Sequence, residues 1–167
     1  MKVRSRLLLF IVLSLAAMFA VTFEARAQQS SQEAVAKPAG ASESALAAIK
    51  QTALDYIEGY YEGNAERMER ALHPELAKRI VRTDPKSGRS RLDQMSAMSL
   101  VRGTREQASN PTPKEKRQND VTVLDVFENA ASVKIVATDW IDYLHVAKFN
   151  GRWVIVNVLW ELKPQSK

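Results

Sequence analysis

Between Val121 and Leu162 apolar and β-branched residues dominate in three runs separated by short polar breaks. Val121–Phe127 ends at Glu128-Asn129-Ala130, Ser132–Phe149 ends at Asn150-Gly151, and Arg152–Leu162 closes the set. An Asn-Gly pair between two such runs is a strong hairpin signal, because both turn positions need positive φ. The pattern therefore predicts a three-stranded antiparallel meander. The middle run is about three times the mean strand length. Such a strand must bend, and the polar Asp139 is the expected place.

Upstream the period changes from two to between three and four. Leu46, Ile49, Ala53, Tyr56, Ile57, Tyr60 and Tyr61 share one face of a helix from about Glu43 to Glu62, which Gly63 stops. Asn64 caps a second helix, Ala65–Leu72, which His73-Pro74 ends. Glu75–Arg82 fits either helix or strand. Asp84–Gly88 reads as a turn, Arg91–Val101 as a third helix, and the Pro-containing stretch Gly103–Asp120 as a mobile polar loop. The fold class is thus α+β, with N-terminal helices packed on a curved antiparallel sheet.

The two faces of the strands can be assigned on the same logic. Val133, Ile135, Ala137 and Ile141 lie on one face of the middle run, and Val136, Trp140, Leu144 and Val146 on the other. With both faces apolar, helices can cover one and a second copy of the chain the other, which predicts a homodimer. A two-residue turn pairs Phe149 with Arg152, and so Leu144 with Asn157 and Tyr143 with Val158. In unbroken strands Tyr143, His145 and Trp160 then share one side, and Leu144, Trp153 and Asn157 the other. The first side is expected to face the helices and the second to form the dimer contact.

Composition narrows the setting. Lys2, Arg4 and Arg6 precede an apolar run from Leu7 to Val21, and Ala25-Arg26-Ala27 supplies a small-x-small cleavage pattern. This is the layout of a secretory signal peptide over residues 1–27, with a mature N-terminus at Gln28 in the periplasm or outside the cell. The run is shorter than the roughly 20 residues of a membrane span, so no stable anchor is expected after cleavage. Residues 28–41 read as a disordered polar tether, 42–163 as the folded domain and 164–167 as a tail. The formal charge of the whole chain is +5, and residues 1–27 hold four basic groups and one acidic one, leaving +2 on the mature chain. With no basic block and no aromatics beside one, nucleic-acid binding is not expected. The chain has no cysteine, so the domain is held by its core, and thiol chemistry and Cys-based metal sites are excluded.

The detailed pattern resembles a known family. Asp142-Tyr143-Leu144-His145 with Lys148, Gly151, Trp153, Ile155-Val156-Asn157 and Trp160 is similar to the closing motif of the putative lumazine-binding branch of the nuclear-transport-factor-like (SnoaL-like) superfamily. Tyr60-x2-Gly63-Asn64 and Leu72-His73-Pro74 resemble its N-terminal signature. The resemblance covers about Ala45 to Leu162 and implies a cone-shaped fold. Relatives by fold include ketosteroid isomerases, dehydratases and polyketide cyclases, alongside proteins that only bind or associate, so fold alone does not choose a function.

The candidate chemistry is sparse. A base or acid of the isomerase type would be His73, His145 or an Asp in the cone. Asp142 and His145 stand three apart on a strand and face opposite ways. Asp139 shares a face with His145 only in an unbroken strand, and then lies about 20 Å away. His145 is therefore the catalytic candidate only if another element brings it a partner such as Tyr56, Tyr60 or His73. Asp84-Pro85 resembles the base of ketosteroid isomerases, but its solvated turn gives no burial to raise the carboxyl toward working pH. No His-x-His or His-x3-His spacing supports a metal, and no nucleotide or hydrolase motif is present, so neither metal nor cofactor is expected. The expected pocket is lined by Tyr56, Tyr60, His73, Tyr143, His145 and Trp160. The function expected is an exported domain that binds a small apolar or aromatic ligand or associates with a second copy. The alternative is an isomerase, dehydratase or cyclase using His/Asp chemistry.

Overall fold

A computed structural model describes residues 41–164. The expected signal peptide, the tether as far as residue 40 and residues 165–167 lie outside the described residues. Helix α1 runs Glu43–Glu62, with the Ser42 hydroxyl accepting from the Ala45 amide at its start. Gly63 ends it in the left-handed conformation, φ 69°. Asn64 then caps α2, Ala65–Ala71, through its side-chain oxygen and the Arg67 amide. The apolar stripe of α1 is buried as its spacing predicts: Ile49, Ala53, Tyr56, Ile57 and Tyr61 are at most 2% exposed.

The sheet is larger than the expected meander. It has six strands in the order β2-β1-β6-β5-β4-β3, namely β1 Leu72–Thr83, β2 Ser90–Ser96, β3 Asn119–Phe127, β4 Ala130–Ala137, β5 Trp140–Phe149 and β6 Arg152–Leu162. Helices pack on one face. The ambiguous stretch Glu75–Arg82 is strand, and β1 runs parallel to β6 beside an otherwise antiparallel set, so the sheet is mixed. Pro74 has no N–H to give to a ladder. The β1–β6 register accordingly shifts between Leu72/Ile155 and Ala77/Asn157.

Three element assignments differ from expectation. The run Ser132–Phe149 is not one bent strand but the hairpin β4–β5, which reverses at Thr138-Asp139. Arg91–Val101 is not one helix. Its first half is β2, paired to β1 across the Asp84–Gly88 turn, and helix α3 follows at Ala97–Gln107, capped by the Ser96 hydroxyl. The expected loop Gly103–Asp120 holds the last turn of α3, a 3-10 turn at Lys114–Lys116 and the start of β3.

The largest correction concerns β6. Asn150 and Gly151 both have positive φ, 51° and 80°, and the hairpin register Phe149↔Arg152 forms as expected. It holds as far as Val146↔Ile155, but His145 then pairs with Asn157, leaving one extra residue at Val156. This β-bulge reverses the alternation beyond it. Trp153 and Trp160 therefore face the same way, inward, and Asn157 faces outward beside His145.

Candidate functional site

The concave face of the sheet, α1 and α3 enclose a cleft of about 490 Å³. Tyr56 and Tyr60 reach it from α1, Lys78 and Arg82 from β1, Leu100 from α3, Trp140 from β5 and Trp160 from β6. Each arrives by strand or helix period. Lys78 lies in phase with buried Leu76 and Ile80, and Asp142 in phase with buried Leu144 and Val146. Both charges therefore point into the apolar interior, where Asp142 is 0% and Lys78 5% exposed.

They neutralise one another. The Lys78 ammonium donates to Asp142 Oδ1 at 2.8 Å and to the Tyr56 hydroxyl at 2.5 Å. The indole N–H of Trp140 donates to Asp142 Oδ2 at 2.7 Å, so both carboxylate oxygens are engaged. Aromatic rings surround the ammonium. Its nitrogen lies 4.7 Å from the Trp160 ring centre, 5.3 Å from Tyr56 and 5.7 Å from Trp140. Each such contact contributes on the order of 0.5–2 kcal/mol. Burial pushes Lys78 below the ordinary lysine range, and Asp142 opposes that shift. Burial, then the Asp142 charge, raises Tyr56 well above the tyrosine range, so it remains a phenol at neutral pH.

The remaining walls are apolar or weakly polar. Trp140 meets Tyr60 edge-on at 5.5 Å. Arg82 stands at the mouth, its Nε 3.1 Å from Asp93 and its guanidinium carbon 5.9 Å from the Trp160 ring centre. Exposed Asp139 completes the rim. The indole nitrogen of Trp160 is buried and has no hydrogen-bond partner.

Of the expected pocket residues, Tyr56, Tyr60 and Trp160 meet in the cleft. Tyr143, His145 and His73 do not. Tyr143 is 46% exposed on the outer face, and His145 stands beside it in phase. The expected face assignment is therefore reversed for β5, and Trp153, expected at a dimer contact, is a core residue at 6% exposure. On that outer face Arg79 donates to Asn157 Oδ1 at 2.8 Å, which turns the Asn157 amide nitrogen toward His145 Nδ1 at 3.3 Å. His73 sits in a separate hollow, with its ring edge-on to Phe149 at 4.7 Å and its Nδ1 accepting from the Glu75 amide. No histidine reaches the cleft.

Asp84 is a turn residue, its carboxylate capping the turn that follows. Backbone amides of Ser87 and Lys86 donate to its carboxylate and hold it below the usual range, the opposite of what a general base requires. Among the described residues no group of three or more His, Cys, Asp or Glu side chains could hold a metal. No helix among them is long and apolar enough to cross a membrane.

Lys78, Asp142 and Trp140 were not anticipated. The signal that finds the first two is a charged residue at the apolar phase of a strand, present twice with opposite signs: Leu76-x-Lys78-x-Ile80 and Asp142-x-Leu144-x-Val146.

Comparison with known proteins agrees with this architecture. The sequence model of the family described as putative lumazine-binding matches residues 44–161. No curated protein matches the chain in sequence. An NTF2-like protein of unknown function from Methylobacillus flagellatus KT superposes with a TM-score of 0.58 at 19% identity, covering 76% of this chain and 98% of its own. NTF2-like proteins of unknown function from Silicibacter pomeroyi DSS-3 and Shewanella baltica OS155 give TM-scores of 0.55 and 0.54 at 16% and 19% identity. They cover 71% and 72% of this chain, and 95% and 94% of their own.

Proposed function

This chain belongs to the putative lumazine-binding family of nuclear-transport-factor-like domains, and on that premise we propose that it is an exported domain that binds a small, flat aromatic ligand in the cleft without transforming it. The observation that carries the reading is the cleft itself: aromatic walls from three elements around one charge-neutralised polar centre. Such a site, apolar with a few placed polar groups, is the usual form of a small-molecule pocket. Catalysis through His145 or His73 has no support, since neither reaches the cleft, and Asp142 has both oxygens occupied.

Lumazine, which the family description names, is the first probe. Titrating it into the mature protein is expected to quench tryptophan fluorescence saturably, since Trp140 and Trp160 line the cleft. Trp160→Ala is expected to weaken binding about tenfold or more, the loss of a stacking platform worth ~1–3 kcal/mol. Unaltered fluorescence with lumazine and with a range of planar heterocycles, or equal affinity in the variant, would remove the cleft as the site.

Two further parts of the proposal concern assembly and location. The outer sheet face leaves Val81, Leu92, Leu159 and Tyr143 between 46% and 59% exposed, and a second copy of the chain is the proposed cover. Sedimentation should then give a dimer at micromolar concentration, which Leu159→Asp dissociates; a monomer for the parent protein would count against it. Export rests on the N-terminal sequence, and a mature protein that retained residues 1–27 on N-terminal sequencing would overturn it.

A further inference from the structure

We propose that the ligand presents a neutral oxygen acceptor, a ring carbonyl, to Lys78, and that the cleft rejects both carboxylate and ammonium forms of the same ring system. This rests on the cleft being the ligand site.

The hydrogen-bonding groups left unused there are donors. An ammonium has three N–H groups. Those of Lys78 have two acceptors among the described residues, Asp142 Oδ1 and Tyr56 Oη. The Trp160 indole N–H has none. The carboxylate behind them, Asp142, is 0% exposed and already receives an N–H on each oxygen. A ligand that complements this set brings an acceptor.

The charges decide its form. Lys78 is balanced by Asp142, while at the mouth Arg82 and Arg91 share Asp93 and Asp139 lies on the rim, so those four charges sum to zero. A carboxylate would give up its hydration to enter a site whose buried ammonium is already neutralised by Asp142 and whose rim carries no net positive charge. An ammonium fares no better. The rings that would attract it already lie within 6 Å of the chain's own cations, Lys78 near Tyr56, Trp140 and Trp160, and Arg82 near Trp160, so a further positive charge would meet like charge. A carbonyl adds no charge and accepts a charge-assisted hydrogen bond from an ammonium already fixed in place. The selecting residue is therefore Lys78, with Asp142 setting the balance that excludes anions.

The test uses four probes of one size on the mature protein: coumarin for the carbonyl, naphthalene for the bare ring, 2-naphthoate for the anion and N-methylquinolinium for the cation. Calorimetry is expected to rank coumarin at least about tenfold above each of the others, the factor one such hydrogen bond supplies. In the double variant Lys78→Met/Asp142→Leu, which removes both charges together, coumarin should fall to the level of naphthalene. Equal binding of all four would overturn the proposal and leave the cleft reading standing. Failure of all four, and of lumazine, would remove both. A coumarin advantage that survives in the double variant would assign the carbonyl to another group and sink the role of Lys78. Should the double variant not fold, the ranking on the parent protein still decides, since naphthoate or the quinolinium matching coumarin contradicts the charge argument by itself.

Discussion

Replacing Asp142 with Asn should lower the unfolding free energy by about 3–5 kcal/mol at neutral pH, the cost of leaving a buried ion without its partner. Few domains can spare that much, since total stability is typically about 5–15 kcal/mol. The loss should depend on pH in a defined direction. Burial already pushes the native pKa of Lys78 below its ordinary value, and Asp142 is the group that opposes the shift. With the carboxylate gone, desolvation acts alone and the native pKa falls further. Between that lowered pKa and the unfolded value, the unfolded chain binds more protons than the native one, so stability rises with pH. The deficit is therefore full where Lys78 is protonated in both states. It shrinks as the pH climbs toward about 10, where the native protein holds a neutral amine. Urea denaturation of parent and variant at pH 6, 8 and 9.5 measures this. A deficit below about 1 kcal/mol, or one that widens with pH, would mean that Lys78 and Asp142 do not form a buried ion pair. Replacing both members by Met and Leu should cost much less, because no charge is then stranded.

That pair also marks where sequence reasoning stopped. The α1 stripe, the Gly63 stop, the Asn64 cap and the Asn150-Gly151 hairpin were legible because each depends on neighbours within a few residues. Tyr56 and Tyr60 were legible as cleft residues because helical phase placed them. Trp160 was expected there on an unbroken β5–β6 register that grouped it with Tyr143 and His145, and it reaches the cleft because the bulge reverses β6 while the face of β5 is reversed as well. The faces of β5 were not legible. Asp142 reads as a surface residue, which sends Tyr143 and His145 inward by alternation. Only the opposite charge on Lys78, 64 positions earlier, makes the reverse phase affordable. The bulge at Val156 is equally silent, since the run Val154–Val158 alternates as well with one extra residue as without it. The β1–β2 hairpin was missed because Leu92, Met95 and Met98 fit helical spacing. The partner that makes Ser90–Ser96 a strand is β1, itself ambiguous until β6 pairs with it. These are tertiary decisions, and local pattern does not contain them.

Gly63→Ala is expected to destabilise the domain by about 2–4 kcal/mol, more than a helix stop alone would suggest. Asn64 donates to the Gly59 carbonyl at 2.8 Å and Gly63 to Tyr60 at 3.1 Å, a paired closure that needs the left-handed residue at Gly63. An alanine in that conformation costs about 1 kcal/mol. The larger part is contact. A Cβ on Gly63 would stand 2.2 Å from the Cα and 2.4 Å from the backbone nitrogen of Ala108, the residue that ends α3. Backbone cannot yield as a flexible side chain does, so the α1–α2 corner and the end of α3 would have to separate. Overpacking of this kind adds about 1–3 kcal/mol. Gly151→Ala provides the control: its φ is +80° but nothing lies within 4 Å of the added carbon, so it should show the conformational cost alone, about 1 kcal/mol. Chemical denaturation of the two variants side by side isolates the contact as their difference. Equal losses would mean that α3 does not end against Gly63, and the wall that Ser99, Leu100 and Gly103 give the cleft would lose its anchor.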